Sequence, residues 1–246
     1  MTSYHLARHA TGAPRLASLP LPALGPQAGV GDARPLGPAA LAVSFGELAA
    51  GATSGPPDAA TLRFVLAGEL VVATVAGTAR LVAGDVVLFD PTASPAVLEA
   101  SGAAVRFVDL EVDAAWVPQG VVLPPLERAA RAEPSSLRMD VEDGHAHLAA
   151  FVPVPDGSRQ AVMNASFLCL PGEVASDWHT EEGISLVLVL AGGFELEVSG
   201  RGGARLLAAG DLCLVDDRSG RGHLTRTHGE TWFAAITLPI DHAWQH

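Results

Sequence analysis

Apolar and polar residues alternate along most of this chain with the period of β-strands. Phe194-Glu195-Leu196-Glu197-Val198 changes character at every residue, the pattern of a strand with one buried face. Leu186-Val187-Leu188-Val189-Leu190 is an unbroken apolar run, short enough to be a buried strand rather than a helix. Helical spacing is scarce. Residues 123–131 and the tail after Pro239 offer at most short helices, because neither carries a long amphipathic stripe. The predicted fold class is all-β.

The two halves of the chain read as copies of one another. Leu66-Ala67-Gly68-Glu69, followed by Leu81-Val82-Ala83-Gly84-Asp85-Val86-Val87-Leu88, matches Leu190-Ala191-Gly192-Gly193, followed by Leu207-Ala208-Ala209-Gly210-Asp211-Leu212-Cys213-Leu214. The first glycines lie 124 residues apart and the second pair 126 apart. A strand ending in Gly, a second strand, and Gly-Asp opening a third is a hairpin sequence whose glycines take φ values that other residues resist. The stretch from Pro118 to Val154, rich in Pro, Arg and acidic residues, reads as the linker plus the first strand of the second copy. The expected division is 1–134 and 135–246.

Composition narrows the chemistry. Of the 246 residues, 49% are hydrophobic, which supplies ample core for two small domains. The formal charge of -12 repels phosphate backbones and anionic lipid, so the expected partner is a small polar molecule rather than nucleic acid or a membrane. There is no lysine anywhere, which excludes Schiff-base chemistry, a P-loop and a pyridoxal-phosphate enzyme. Cys169 and Cys213, each between leucines, read as buried reduced thiols. The first ten residues, with His5, Arg8 and His9, lack the apolar core of a signal peptide, so a cytoplasmic location is expected.

At the repeated residues the chain resembles the cupin superfamily, which implies two tandem jelly-roll (double-stranded β-helix) barrels, a bicupin. Gly172 through Gly192 corresponds to the first cupin motif of the second barrel and Gly210 through His223 to its second. Cupin metal ligands sit on adjacent strands and point into the barrel, and residues two apart on one strand share a face. His179 and Glu181 satisfy that spacing, and His223 closes the set from a later strand. Two imidazoles and a carboxylate form a facial set for Mn²⁺, Fe²⁺ or Zn²⁺ with positions left for substrate or water. The competing reading is a His179–His223 hydrogen-bonded pair in a barrel without metal.

Other candidates are weaker. Ser185 stands where many cupins place a further ligand and is expected to face substrate. Arg221 and Arg226 flank His223 and could clamp a substrate carboxylate bidentately, or lie on the surface. Asp177 and Glu182 have the wrong parity for the His179 face and read as solvated. His145 and His147 fall outside the ligand positions, and His228 beside Gly229 reads as a solvated loop. In the first barrel, Gly51-Ala52-Thr53-Ser54-Gly55-Pro56-Pro57-Asp58 replaces the ligand segment, so no metal is expected there.

Among bicupins the chain is similar to the (S)-ureidoglycine aminohydrolase family. The residues carrying this are Trp116-Val117-Pro118-Gln119-Gly120 and Phe167-Leu168-Cys169-Leu170-Pro171-Gly172-Glu173, continuing to Leu190-Ala191-Gly192. The resemblance implies Mn²⁺ in the second barrel only, a homo-oligomer, and release of ammonia from a ureide, with Glu181 available as general base. That family's pattern places glutamate at position 179, histidine at 181 and 185, and glutamine near 223, so the ligand types are exchanged here. Its pocket also uses lysine and tyrosine, whereas the single tyrosine of this chain is Tyr4. Asp177-Trp178-His179 and Gly220-Arg221-Gly222-His223-Leu224-Thr225-Arg226 resemble a group of single-domain cupins without established function. Three functions therefore stay open: a ureide aminohydrolase, another metal-cupin enzyme such as a dioxygenase or isomerase, and a non-catalytic binding protein.

Overall fold

A computed structural model describes residues 40–75, 77–91, 96–115, 135–241 and 244, together with the backbone of strands Ser3–Arg8, Pro14–Ser18 and Arg34–Pro35. The described residues form strands and turns with no helix, so the fold class is all-β, as the alternation predicts. Residues 123–131 lie outside the described residues, and past Pro239 the described chain makes only turns. The chain divides into two compact units. One holds residues 1–21, 38–126 and 154–159, the other 22–37, 127–153 and 160–246.

Each unit is a double-sheet barrel, and the larger sheets repeat strand for strand. In the first unit the larger sheet runs Ala40–Leu48, Val105–Val112, Thr61–Ala67, Val86–Phe89, Ser3–Arg8 and Pro14–Ser18. In the second the same order is Asn164–Leu170, Thr231–Leu238, Ile184–Ala191, Leu212–Val215, Ser136–Glu142 and His145–Ala150. Both pair one strand parallel, Ser3–Arg8 to Val86–Phe89 and Ser136–Glu142 to Leu212–Val215, in otherwise antiparallel sheets. The smaller sheets centre on Glu69–Thr74 and Gly193–Val198.

The Gly-Asp turns repeat bond for bond. Gly84 N–H donates to Val65 O at 2.8 Å and Gly210 N–H to Val189 O at 2.9 Å. The Asp85 carboxylate accepts from Val82 N–H and the Asp211 carboxylate from Ala208 N–H, both at 2.8 Å. Gly68 and Gly192 have φ of +80° and +69°, and a Cβ there would lie 2.4 Å from Ala104 O or 2.2 Å from Glu230 O. Only glycine closes those turns.

The strand Gly193–Val198 alternates as its sequence dictates. Phe194, Leu196 and Val198 are buried with Val189, Leu207 and Cys213, while Glu195 and Glu197 face outward. Fully burying a side chain of this size contributes about 2 kcal/mol. In the first barrel, Leu70, Val72, Leu81, Phe89 and Leu98 form the corresponding cluster.

Arg63 and Asp109, facing one another on paired strands, occupy the positions that Val187 and Ala235 hold in the second barrel. The Arg63 guanidinium bonds both Asp109 oxygens at 2.7 Å and lies 3.7 Å over the Phe107 ring. An ion pair thus stands where the other copy has two small apolar side chains lining its cavity.

Candidate metal centre

The second barrel contains a cavity of about 530 Å³. Apolar side chains, Leu168, Val187, Phe194, Leu196 and Phe233 among them, form part of its wall, and Ser166, Ser185, Thr225, Thr227 and Thr237 add hydroxyls. His179, Glu181, Glu182, His223 and the Cys213 thiol are its ionisable groups, and no arginine is among the described lining residues.

His179 and Glu181 do not sit on a regular strand. They lie in the irregular segment before Ile184–Ala191, so the shared-face argument does not explain their convergence. What aligns the segment is the strand His223–Thr227, which it accompanies antiparallel. Thr227 N–H donates to Val174 O at 2.8 Å, Ser176 N–H to Thr225 O at 2.9 Å, and His179 N–H to His223 O at 3.0 Å. His223 N–H returns the last bond to His179 O at 2.9 Å. The directly opposed histidines thus project on one face, with ring centroids 4.4 Å apart. Gly222, at φ +72°, makes this approach possible, since a Cβ there would lie 1.8 Å from His179 O.

Ligand-capable atoms of His179, Glu181 and His223 all lie within 4.8 Å of one another. His223 is 4% exposed and the other two are half-buried. Nδ1 of His179 is 2.8 Å from Asp177 O, and Nδ1 of His223 is 2.6 Å from Asp217 Oδ2. A carbonyl and a carboxylate only accept hydrogen bonds, so each Nδ1 carries a proton, and it is Nε2 that is left to offer a lone pair to an ion. Two such imidazoles beside a carboxylate are a donor set that a divalent ion fits.

Ser185 lines the cavity. Arg226 does not: its side chain leaves the opposite face of its strand and bonds Glu195 at 2.7 Å and Glu197 at 2.6 Å, bonds that hold its pKa above the ordinary value. Arg221 also stays outside, exposed, with its guanidinium 4.6 Å over the Trp178 ring. Alternation along His223–Thr227 explains the first correction, because His223, Thr225 and Thr227 take the inner face.

Asp177 is exposed, and Glu182 is exposed at the cavity rim. His147 Nδ1 accepts from Arg201 N–H at 2.6 Å, a structural contact, while His145 and His228 are exposed. The side chains of His5, His9, His242 and His246 lie outside the described residues, as does the stretch 116–120. Cys169 and Cys213 are free and buried. Burial pushes the Cys169 thiol up to about 12, with Glu230 adding to it, and raises Cys213 further.

Sequence reading missed Asp217. It is fully buried, and besides His223 it accepts the Glu181 N–H at 3.3 Å. The adjacent pair Asp216-Asp217 inside the second motif was the available signal, but only the fold separates them: Asp216 faces Arg218 at 2.7 Å.

Fold and site together define a protein of two tandem double-sheet β-barrels with a His/Glu/His cluster in the second. No protein-family model matches the chain, and no curated protein does. Solved structures similar to it include a cupin 2 conserved barrel domain protein from Leptotrichia buccalis, at 11% identity over 81% of this chain and 84% of that one, TM-score 0.43. A protein of the DUF861 family from Pseudomonas syringae pv. tomato is 13% identical over 79% and 82%, TM-score 0.40. A salicylate 1,2-dioxygenase from Pseudaminobacter salicylatoxidans is 14% identical over 81% and 71%, TM-score 0.36. No helix among the described residues is long and apolar enough to cross a membrane.

Proposed function

We propose that the second barrel is a metal-dependent catalytic site for a small uncharged molecule bearing hydroxyl or amide groups on an apolar body. The observation that carries this is the convergence of His179, Glu181 and His223 in the open cavity, with both imidazoles held in the tautomer that leaves Nε2 free. A bound divalent ion would supply Lewis-acid polarisation of a substrate oxygen or nitrogen. Glu181 has two carboxylate oxygens, one for the ion and one to accept a proton from substrate or water. The hydroxyls of Ser185, Thr225 and Thr237 would orient the polar end of the substrate, and Phe194, Leu196 and Phe233 would exclude water from its apolar end.

The narrower reading, Mn²⁺-dependent release of ammonia from (S)-ureidoglycine, rests on the family resemblance. Its substrate carries a carboxylate, for which the described lining offers no arginine and no lysine. That absence favours the other metal-cupin reactions, an oxygenation or isomerisation of an uncharged compound.

Protein reconstituted separately with Mn²⁺, Fe²⁺ and Zn²⁺ tests both readings, through oxygen consumption and ammonia release against His179→Ala. Elemental analysis should find one ion per chain, and none in a His179→Ala, His223→Ala double variant. Equal metal content in the two proteins would overturn the site. Ammonia release from ureidoglycine above the His179→Ala background would establish the narrower reading instead. Ligand binding without turnover under any ion would leave a binding protein.

A further inference from the structure

We infer that Asp217 is a positioning residue that fixes both His223 and Glu181 for the ion, an inference that rests on the metal reading above. Its side chain is 0% exposed, and its two oxygens have different tasks. Oδ2 lies 2.6 Å from His223 Nδ1, and Oδ1 accepts the Glu181 backbone N–H at 3.3 Å. One carboxylate therefore ties together two ligands that reach the site from separate segments, 42 positions apart between Glu181 and His223.

Electrostatics gives the arrangement its direction. A desolvated carboxylate is costly unless opposite charge compensates it. Among the described residues Asp217 bonds an imidazole and an amide N–H, not an arginine. Its neighbour Asp216 pairs with Arg218, so that guanidinium is engaged elsewhere. Charge complementary to Asp217 would arise on the far side of the His223 ring, where Nε2 faces the site. A carboxylate behind an imidazole fixes ring orientation and raises the basicity of the opposite nitrogen, and losing such a partner costs about 10–100-fold in metal affinity.

The test begins with the ring-nitrogen shifts of His223 in ¹⁵N-histidine protein, metal-free and at alkaline pH. The expected result is one tautomer, protonated at Nδ1. In Asp217→Asn and Asp217→Ala that preference should weaken, and Mn²⁺ affinity by calorimetry should fall about 10–100-fold while unfolding stays cooperative. An Nε2-protonated His223 in the unaltered protein would overturn the inference without any variant having to fold. So would folded variants that bind Mn²⁺ as the parent does, when His179→Ala does not. If the parent protein binds none of Mn²⁺, Fe²⁺ and Zn²⁺, the metal reading falls, and the ring-nitrogen shifts still decide whether Asp217 fixes His223.

Discussion

Replacing Gly222 with alanine adds one methyl group where the site has no room for it. The new Cβ would stand 1.8 Å from His179 O, 2.5 Å from the attached carbonyl carbon and 3.0 Å from Thr180 N, all of them backbone atoms. An ordinary carbon–oxygen approach is about 3.3 Å, so the segment carrying His179 must retreat by roughly 1.5 Å. That breaks the two bonds joining His179 to His223, each contributing about 1 kcal/mol. Holding alanine at φ +72° adds about 1 kcal/mol of strain. The expected cost is about 3 kcal/mol, a fall in melting temperature of roughly 10 °C. Metal–ligand distances tolerate only about 0.2 Å, so Mn²⁺ affinity should drop at least tenfold. Gly144→Ala is the control, since it has φ +77° with nothing within 4 Å of the added Cβ and should cost only the strain. Calorimetric melting and Mn²⁺ titration of both variants decide the matter. A Gly222→Ala protein that melts and binds like Gly144→Ala would refute the claim that His179 and His223 are held by this contact.

Further outcomes follow from the same geometry. Arg226→Ala should leave metal binding and turnover unchanged, because its side chain bonds Glu195 and Glu197 outside the cavity; a raised KM would restore the substrate-clamp role. Asp109→Ala strands Arg63, 6% exposed, in the first barrel, and a broken buried pair costs about 3–5 kcal/mol; chemical denaturation showing under 1 kcal/mol lost would contradict the reading of Arg63–Asp109 as interior filling. Only thiolate reacts with alkylating reagents, and a raised pKa keeps both thiols protonated through pH 9. Iodoacetamide at pH 8 should therefore modify neither Cys169 nor Cys213 until the chain is denatured, and mass spectrometry of native protein with a labelled cysteine would count against their burial.

Much of this protein was legible in its sequence because strand geometry has a short period. Side chains two apart share a face, so Phe194, Leu196 and Val198 declared their burial residue by residue, and the glycines of the repeated turns marked positions where a Cβ cannot fit. The duplication was legible for the same reason, and so were His179, Glu181 and His223, since ligand chemistry singles out their residue types. Period two says nothing, however, about a segment that is not a strand. His179 and Glu181 meet through backbone bonds to His223, and the placement of Arg221 over Trp178 depends on that irregular path. Asp217 is chemically identical to Asp216 beside it, and only the packing that buries one and leaves the other beside Arg218 separates their roles. Likewise the fate of two equivalent interiors turned on which residues face each other across paired strands. Arg63 stands opposite Asp109 in one barrel and Val187 opposite Ala235 in the other, a pairing that exists only once the strands are in register.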